Sequence, residues 1–388
     1  MDTPRRASGD SPDVSMDVST PQQKQDVQPQ PPSETTTLRA KTDADFNVQS
    51  PERAALLQQL SNAPNGKWVS TSFWACLQVC DLGNLAYILD LAHHDPVFFA
   101  EISDLCVDLP KKWLEDHAAF YSIASGASST SRDSLSKCLR IVARSRDSHQ
   151  CVLSGTKKTY QPIWIFPERL TRPAFEIDYH SPSIWRYIEV FWDQSTTQRW
   201  RDAVFNNPSN ATNATSGSSS LICLRNDLAY GFKSGQYGLR PVELSQDKRE
   251  LEVEFHWLPR ESHGFGDLVD MRKQPLSYKD LDNFEGLKFS PTGSDELVKS
   301  GHRFKLVTND PYQRPLPDFD LLDMAWHFSR IVAMSSAIEF VSSAQAGKGP
   351  DSDDDDRTLR GLFEPARRLS SNFDPTQRTA EWVASSAV

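Results

Sequence analysis

The chain has 388 residues, with 42 Lys and Arg against 52 Asp and Glu, a formal charge of −10. That acidic total excludes a protein that coats DNA or membrane over its whole surface, but not one with a local basic face. A hydrophobic content of 38 % is low for a chain folded throughout, so part of the length is expected to be disordered.

Six cysteines (Cys76, Cys80, Cys106, Cys138, Cys151 and Cys223) include no C-x-x-C pair, which argues against a finger-type zinc site. The N-terminal MDTPRRASGD lacks an apolar stretch, and no run comes near the ~18 apolar residues that a membrane span needs. Neither a secretory signal nor a membrane partner is expected. The thiols should be reduced, and the chain intracellular, in cytoplasm or nucleus. The glycosylation sequons at Asn210 and Asn213 then read as chance matches in an Asn/Ser/Thr-rich loop.

In chain order, residues 1–48 are rich in Pro, Gln, Ser and Thr and read as a disordered tail. Order is expected near Ser50, an N-cap residue followed by Pro51, with Leu56, Leu57 and Leu60 as a helical stripe. Residues 49–130 form a helical region, with Phe73, Trp74, Leu77, Leu85, Ile88 and Leu91 as core positions. Cys76 and Cys80 read as small buried hydrophobes. His93 and His94 read as a helix end.

Residues 132–145 predict an amphipathic helix with Leu135, Cys138, Leu139 and Val142 on one face. Residues 150–155 and 161–166 predict two strands of a short hairpin, stopped by Pro167. Residues 181–205 carry Trp185, Ile188, Phe191, Trp192 and Trp200 at helical spacing, more typical of core than of a nucleobase platform. An apolar strand at 221–224 and a short helix at 226–232 follow. In the C-terminal third, Leu251, Val253, Phe255 and Trp257 alternate with polar residues, as do Phe304 and Leu306. His256 falls on the polar phase and is expected to be exposed. A last helix after Pro317 should place Leu321, Ala325, Phe328 and Val332 on one face. The acidic cluster Asp351–Asp356 reads as a solvated linker.

Several segments, taken in order, resemble a known family. Arg146-Asp-Ser-His-Gln-Cys-Val-Leu-Ser-Gly155 resembles the RD-x-x-x-C-v-x-T-G opening of the HNH-endonuclease domain of filamentous fungi. Trp185–Trp200 resembles that family's aromatic helix, Ile222-Cys-Leu224 its N-x-I-x-L strand, and Gly235–Pro241 its G-x-F-A-L-x-P segment. Ser300–Phe304, Asp310-Pro311 and Leu321–Met334 resemble its C-terminal part, so the likeness covers roughly residues 130–340. It implies an α+β fold: a small ββα-metal-like HNH core elaborated by N-terminal helices and a C-terminal strand and helix part, with disordered tails. The HNH-like domain would span 131–245, its α+β extension 246–345, and an acidic mobile tail 346–388.

An HNH site uses one His as general base, a second His to hold a divalent metal, and an Asn to orient the base. This chain departs at all three places. Trp164 stands at the base position, and an indole N–H donates only. Ser220 stands in place of the Asn, and Ala229 in place of the metal-binding His. No His lies between His149 and His180, or between His180 and His256, so a small register shift cannot restore the set. Cys151 keeps half of a zinc pair, but Ser154 occupies the position three on. No cofactor and no metal are expected.

The resemblance therefore implies a catalytically degenerate HNH-like protein that binds DNA, RNA or protein. Residues 131–240 hold 15 Lys and Arg against 9 Asp and Glu, so the HNH-like stretch is basic within an acidic chain. Arg144, Arg146, Lys157, Lys158 and Lys233 are the candidate phosphate contacts, each weighed against an ordinary solvated cation. The alternative is an active metal-dependent endonuclease with a non-standard ligand set drawn from Glu168, Asp193 and Asp227, using Mg or another divalent metal.

Overall fold

The computed structural model describes residues 46–64, 66–114, 132–167, 184–205 and 217–339. The readings placed on residues 1–45, the C-terminal tail, the sequons, Glu168, His180 and the Asp351–Asp356 cluster lie outside these residues; at 46–48 the expected disordered tail is already ordered, with Asn47 buried and bonded to Leu276 O and Arg330.

Helix α1 (Pro51–Ser61) starts where its sequence demands. The Ser50 hydroxyl accepts the Arg53 N–H at 3.2 Å, and Pro51 needs no partner for a missing N–H. Strand β1 (Trp68–Ser70) leads into α2 (Thr71–Val79), α3 (Leu82–His94), α4 (Pro96–Leu105) and α5 (Asp108–Leu114). Every residue of α2 is buried. Its C-terminal carbonyls cannot reach water, and the Arg53 guanidinium serves them instead, donating to Leu77 O at 2.6 Å and Cys80 O at 2.5 Å. Cys76, Cys80 and Cys106 are buried among apolar groups, as the sequence suggested for the first two. Burial pushes the Cys80 thiol up to about 11, with Arg53 pulling the other way.

Helix α6 (Arg132–Arg146) is the amphipathic helix, but its inner face differs from the expected one. Cys138 is exposed, whereas Leu139 and Ala143 pack inward and Arg146 is buried. The expected hairpin also does not form. Strand β2 (Tyr160–Trp164) pairs antiparallel with β3 (Leu221–Arg225), Trp164 lying opposite Leu221. Residues 151–156 fold as a turn closed by Gly155 N–H to Cys151 O at 2.8 Å and Cys151 N–H to Thr156 O at 2.9 Å. Val152 N–H reaches Cys223 O of β3 at 3.0 Å and Ser154 O accepts Thr292 N–H at 2.8 Å, so the turn lies on the far side of β3 and not beside β2. The apolar run Leu221–Leu224 takes that place.

Between β2 and β3 lie α7 (Ile184–Phe191) and α8 (Gln194–Phe205), two helices where one was expected. Asp193 makes the break, its carboxylate accepting Thr196 N–H at 2.8 Å and the Thr196 hydroxyl at 3.0 Å as the cap of α8. Trp185, Ile188, Phe191, Trp192 and Trp200 are all buried in the core. Strand β3 runs directly into α9 (Asn226–Lys233).

Strands β4 (Tyr237–Leu244), β5 (Glu250–Trp257) and β7 (His302–Val307) form a second antiparallel sheet in the order β4–β5–β7. Strand β6 (Leu268–Asp270) pairs with β1. Helix α10 (Phe319–Met334), capped by the Asp318 carboxylate on Leu321 N–H at 3.0 Å, packs against α2 and β4. It is buried nearly all round and not on one face: Trp326, His327, Ser329 and Arg330 are inside with Leu321, Ala325, Phe328 and Val332. The fold is α+β, with every described strand pair antiparallel. One hydrophobic core extends from Leu57 in α1 to Ala337 beyond α10. No helix among the described residues is long and apolar enough to cross a membrane.

His256 overturns its expectation. It sits on the polar phase of β5, yet it is only 2 % exposed. Phe46, Tyr278 and Trp326 cover that end of the sheet, with ring centroids 5.5, 4.9 and 5.1 Å from the imidazole. Strand periodicity identifies which face a residue takes, not what later packs on that face.

Candidate functional site

The site is best built from the two-stranded β2–β3 sheet. Alternation along the strands divides their side chains. Tyr160, Trp164, Leu221 and Cys223 pack with Leu139 and Ala143 of α6. Ile163, Ile222 and Leu224 belong to the main core, with Leu228 and Ala229 of α9. The strand–strand–helix order β2–β3–α9 is thus present, with 56 residues separating the end of β2 from the start of β3.

A two-stranded sheet exposes two outer edges of unpaired backbone groups. Here both edges are served by α6 and the loop after it. On the β3 edge, Arg146 Nη2 donates to Leu221 O at 2.8 Å, Asp147 Oδ2 accepts Cys223 N–H at 3.1 Å, and Val152 N–H donates to Cys223 O at 3.0 Å. On the β2 edge, Arg140 Nη1 donates to Pro162 O at 2.7 Å. Arg140 and Arg146 are six positions apart, about 9 Å along a helix, enough to straddle two strands about 4.8 Å apart. Helix α6 therefore clamps the sheet from both sides.

This geometry removes Arg146 from the candidate phosphate contacts. Its side chain has no exposure. It pairs with Asp147 through Nε–Oδ1 at 2.6 Å and Nη2–Oδ2 at 2.8 Å, and Nη1 donates to Ser218 O at 3.1 Å and Pro315 O at 3.0 Å. No donor remains for a phosphate. Lys233, half-buried at the end of α9, is also partnered within the chain. Arg144 is exposed, and so are Lys157 and Lys158 in the loop entering β2. That loop is tied to the start of α9 by Asn226 N–H to Thr159 O at 2.9 Å. The sequence thus named three accessible cations and missed Asp147 and Arg140. The signal for Asp147 was its adjacency to Arg146, an RD pair ahead of apolar strands.

Trp164, Ser220 and Ala229 occupy β2, the turn before β3, and α9. Trp164 and Ser220 are neighbours in the ladder: Ile165 N–H donates to Ser220 O at 2.9 Å. The Trp164 indole N–H and the Ser220 hydroxyl are both buried, with no hydrogen-bond partner among the described residues. Ala229 is separated from Trp164, since one lies in the main core and the other in the cluster against α6. None of the three can accept a proton near neutral pH or bind a metal strongly.

The carboxylates considered for metal have other tasks. Asp227 takes Arg225 Nε at 2.7 Å and Nη2 at 2.8 Å, and also Leu228 N–H at 2.8 Å. Burial alone would raise its carboxyl, but these bonds hold it below the usual carboxylate range. Asp193 caps α8 and is likewise lowered against the effect of its burial. Among the described residues no three His, Cys, Asp or Glu gather as a metal site. Cys151 Sγ accepts Ser154 N–H at 3.4 Å inside its own turn, and Cys223 is raised by burial and by Asp147. Comparisons with protein families, with curated proteins and with solved structures return no match for this chain.

Proposed function

We propose that this chain is a non-catalytic HNH-like module that binds nucleic acid through cations beside the β2–β3–α9 unit. The observation that carries the reading is the strand–strand–helix order, with Trp164, Ser220 and Ala229 where the resembling family has its reactive residues. Apolar strands and a clamping helix maintain the unit, while its reactive positions hold groups without base or ligand chemistry. The exposed Arg144, Lys157 and Lys158 supply the charge for phosphate contacts.

Two measurements test this. In a salt titration of binding to a labelled DNA duplex, log affinity should fall linearly with log salt as counterions are released. Arg144→Ala, Lys157→Ala and Lys158→Ala should each weaken binding and reduce the salt slope by about 1 if that cation contacts a phosphate. Absence of binding at low salt would remove the nucleic-acid reading and leave a protein partner. In a plasmid assay with Mg²⁺ or Mn²⁺, no nicking is expected; nicking that EDTA abolishes would overturn the non-catalytic reading.

A further inference from the structure

Three thiols are buried in the N-terminal part of the core: Cys76 on α2, Cys80 at its end, and Cys106 at the end of α4. Their partners differ. Cys80 is engaged by its own neighbours, its Sγ donating to Leu77 O at 3.5 Å and accepting Arg53 Nη1 at 3.6 Å. Cys76 is bonded to Cys106 instead. Its S–H donates to the Cys106 sulfur, and burial together with that bond pushes the Cys76 thiol well up. Two sulfurs from different helices are thus in contact, and the one on α2 keeps its proton.

Cys106 differs from Cys76 in a second respect. A cleft between α4 and α7, with about 290 Å³ of empty space, is lined by Cys106 together with Ile102, Leu105, Arg186 and Tyr187. Cys76 is fully buried and is not part of that lining. A molecule of the size of water or hydrogen peroxide entering the cleft meets the Cys106 sulfur first.

We propose that Cys106 and Cys76 form a peroxide-sensitive thiol pair, Cys106 being oxidised from the cleft and Cys76 closing a disulfide onto it. In the first step the Cys106 sulfur attacks one oxygen of hydrogen peroxide. An S–O bond forms, the O–O bond breaks, and the thiol proton leaves with the second oxygen as water. In the second step the Cys76 sulfur attacks the Cys106 sulfur. The S–S bond forms, the S–O bond breaks, and the Cys76 proton, already directed at Cys106, leaves with the hydroxyl as water. The two thiols lose two electrons in all, and the peroxide gains them. The product ties α2 to the end of α4. The proposal does not depend on the HNH-like reading.

The test treats the full folded chain with hydrogen peroxide, blocks the remaining thiols, and maps the peptides. A cut after Glu101 separates Cys106 from the other two, and a cut after Leu77 separates Cys76 from Cys80. The exposed Cys138 reports the dose. A Cys76–Cys106 disulfide that a reductant reverses is expected at a dose that oxidises Cys138. In Cys106→Ala, Cys76 should stay reduced at the same dose. Oxidation of Cys138 with Cys76 and Cys106 still reduced would overturn the proposal, and so would a disulfide from Cys80 to either of them. Oxidised Cys76 in a Cys106→Ala chain that circular dichroism shows to be folded would overturn Cys106 as the point of entry. Should that variant unfold, the mapping on the unaltered chain decides alone.

Discussion

Arg144 and Arg146 lie two positions apart on one helix and meet opposite environments. Arg146 is buried against Asp147 and three backbone carbonyls; Arg144 faces solvent. Removing one partner of a buried ion pair strands the other, so Arg146→Ala should destabilise by about 3–5 kcal/mol in urea melts. Arg144→Ala should change stability by less than about 0.5 kcal/mol. A similar loss for both would contradict the clamp. His256 gives a second prediction at this scale. Burial lowers its affinity for a proton, although the Glu254 carboxylate at 2.7 Å favours one and the Arg240 and Arg330 charges oppose it. Below about pH 6.5 the unfolded chain takes up a proton that folded His256 resists, so stability falls on acidification. Glu254 loses stability in a lower window. Burial would raise it, but His256, Arg240 and Arg303 hold it at about 2, so its contribution is complete above the ordinary value of 4.5 and disappears as pH falls toward 2. Melting temperatures at about pH 7.5 and about pH 5.5 separate the two windows. The drop seen in the unaltered chain should shrink in His256→Gln. An unchanged drop would assign it elsewhere.

At the scale of elements, close approach decides more than propensity does. Helix α10 crosses β4 so tightly that a Cβ on Gly238 would stand 2.6 Å from Trp326 Cε3. The ring is fully buried and cannot swing into solvent. Gly238→Ala should therefore cost about 1–3 kcal/mol through overpacking, read as a lower urea midpoint with an unchanged slope. A neutral substitution would mean that α10 shifts freely over the sheet. The start of α1 was legible from its local device, Ser50 and Pro51, whereas the Asp193 cap that separates α7 from α8 was missed. Strand pairing was not legible either. The turn at 151–156 carries the apolar Val152 and Leu153 and reads as a strand, but it closes at Cys151 and reaches outward only through single bonds to Cys223 and Thr292. The partner of β2 lies beyond two intervening helices, a distance that no local pattern encodes.

At the scale of the whole molecule, the N-terminal helices, the β2–β3 unit and the C-terminal sheet share one core from Leu57 to Ala337. Elements that bury one another cannot unfold independently at low cost. Urea denaturation followed by tryptophan fluorescence and by far-UV circular dichroism should thus give coincident transitions. Two separated transitions would show that the N-terminal helices form a domain of their own. Charge is also distributed at this scale. The acidic total of the chain coexists with a basic stretch at 131–240, and the exposed Arg144, Lys157 and Lys158 of that stretch are the cations on which the proposed nucleic-acid face would depend.

The sequence by itself determined the mixed α+β composition, the core aromatics of 185–200, the Ser50 cap of α1, and the identities of Trp164, Ser220 and Ala229. These follow from periodicity and side-chain chemistry, which act over a few residues. The tertiary structure alone decided which strands pair, which face of β5 is covered, and which cations reach solvent. Arg146 and His256 carry polar side chains at positions that look external, and both are buried because distant segments bring the partners that satisfy them. Desolvation depends on everything that packs around a group, and a chain cannot specify that locally.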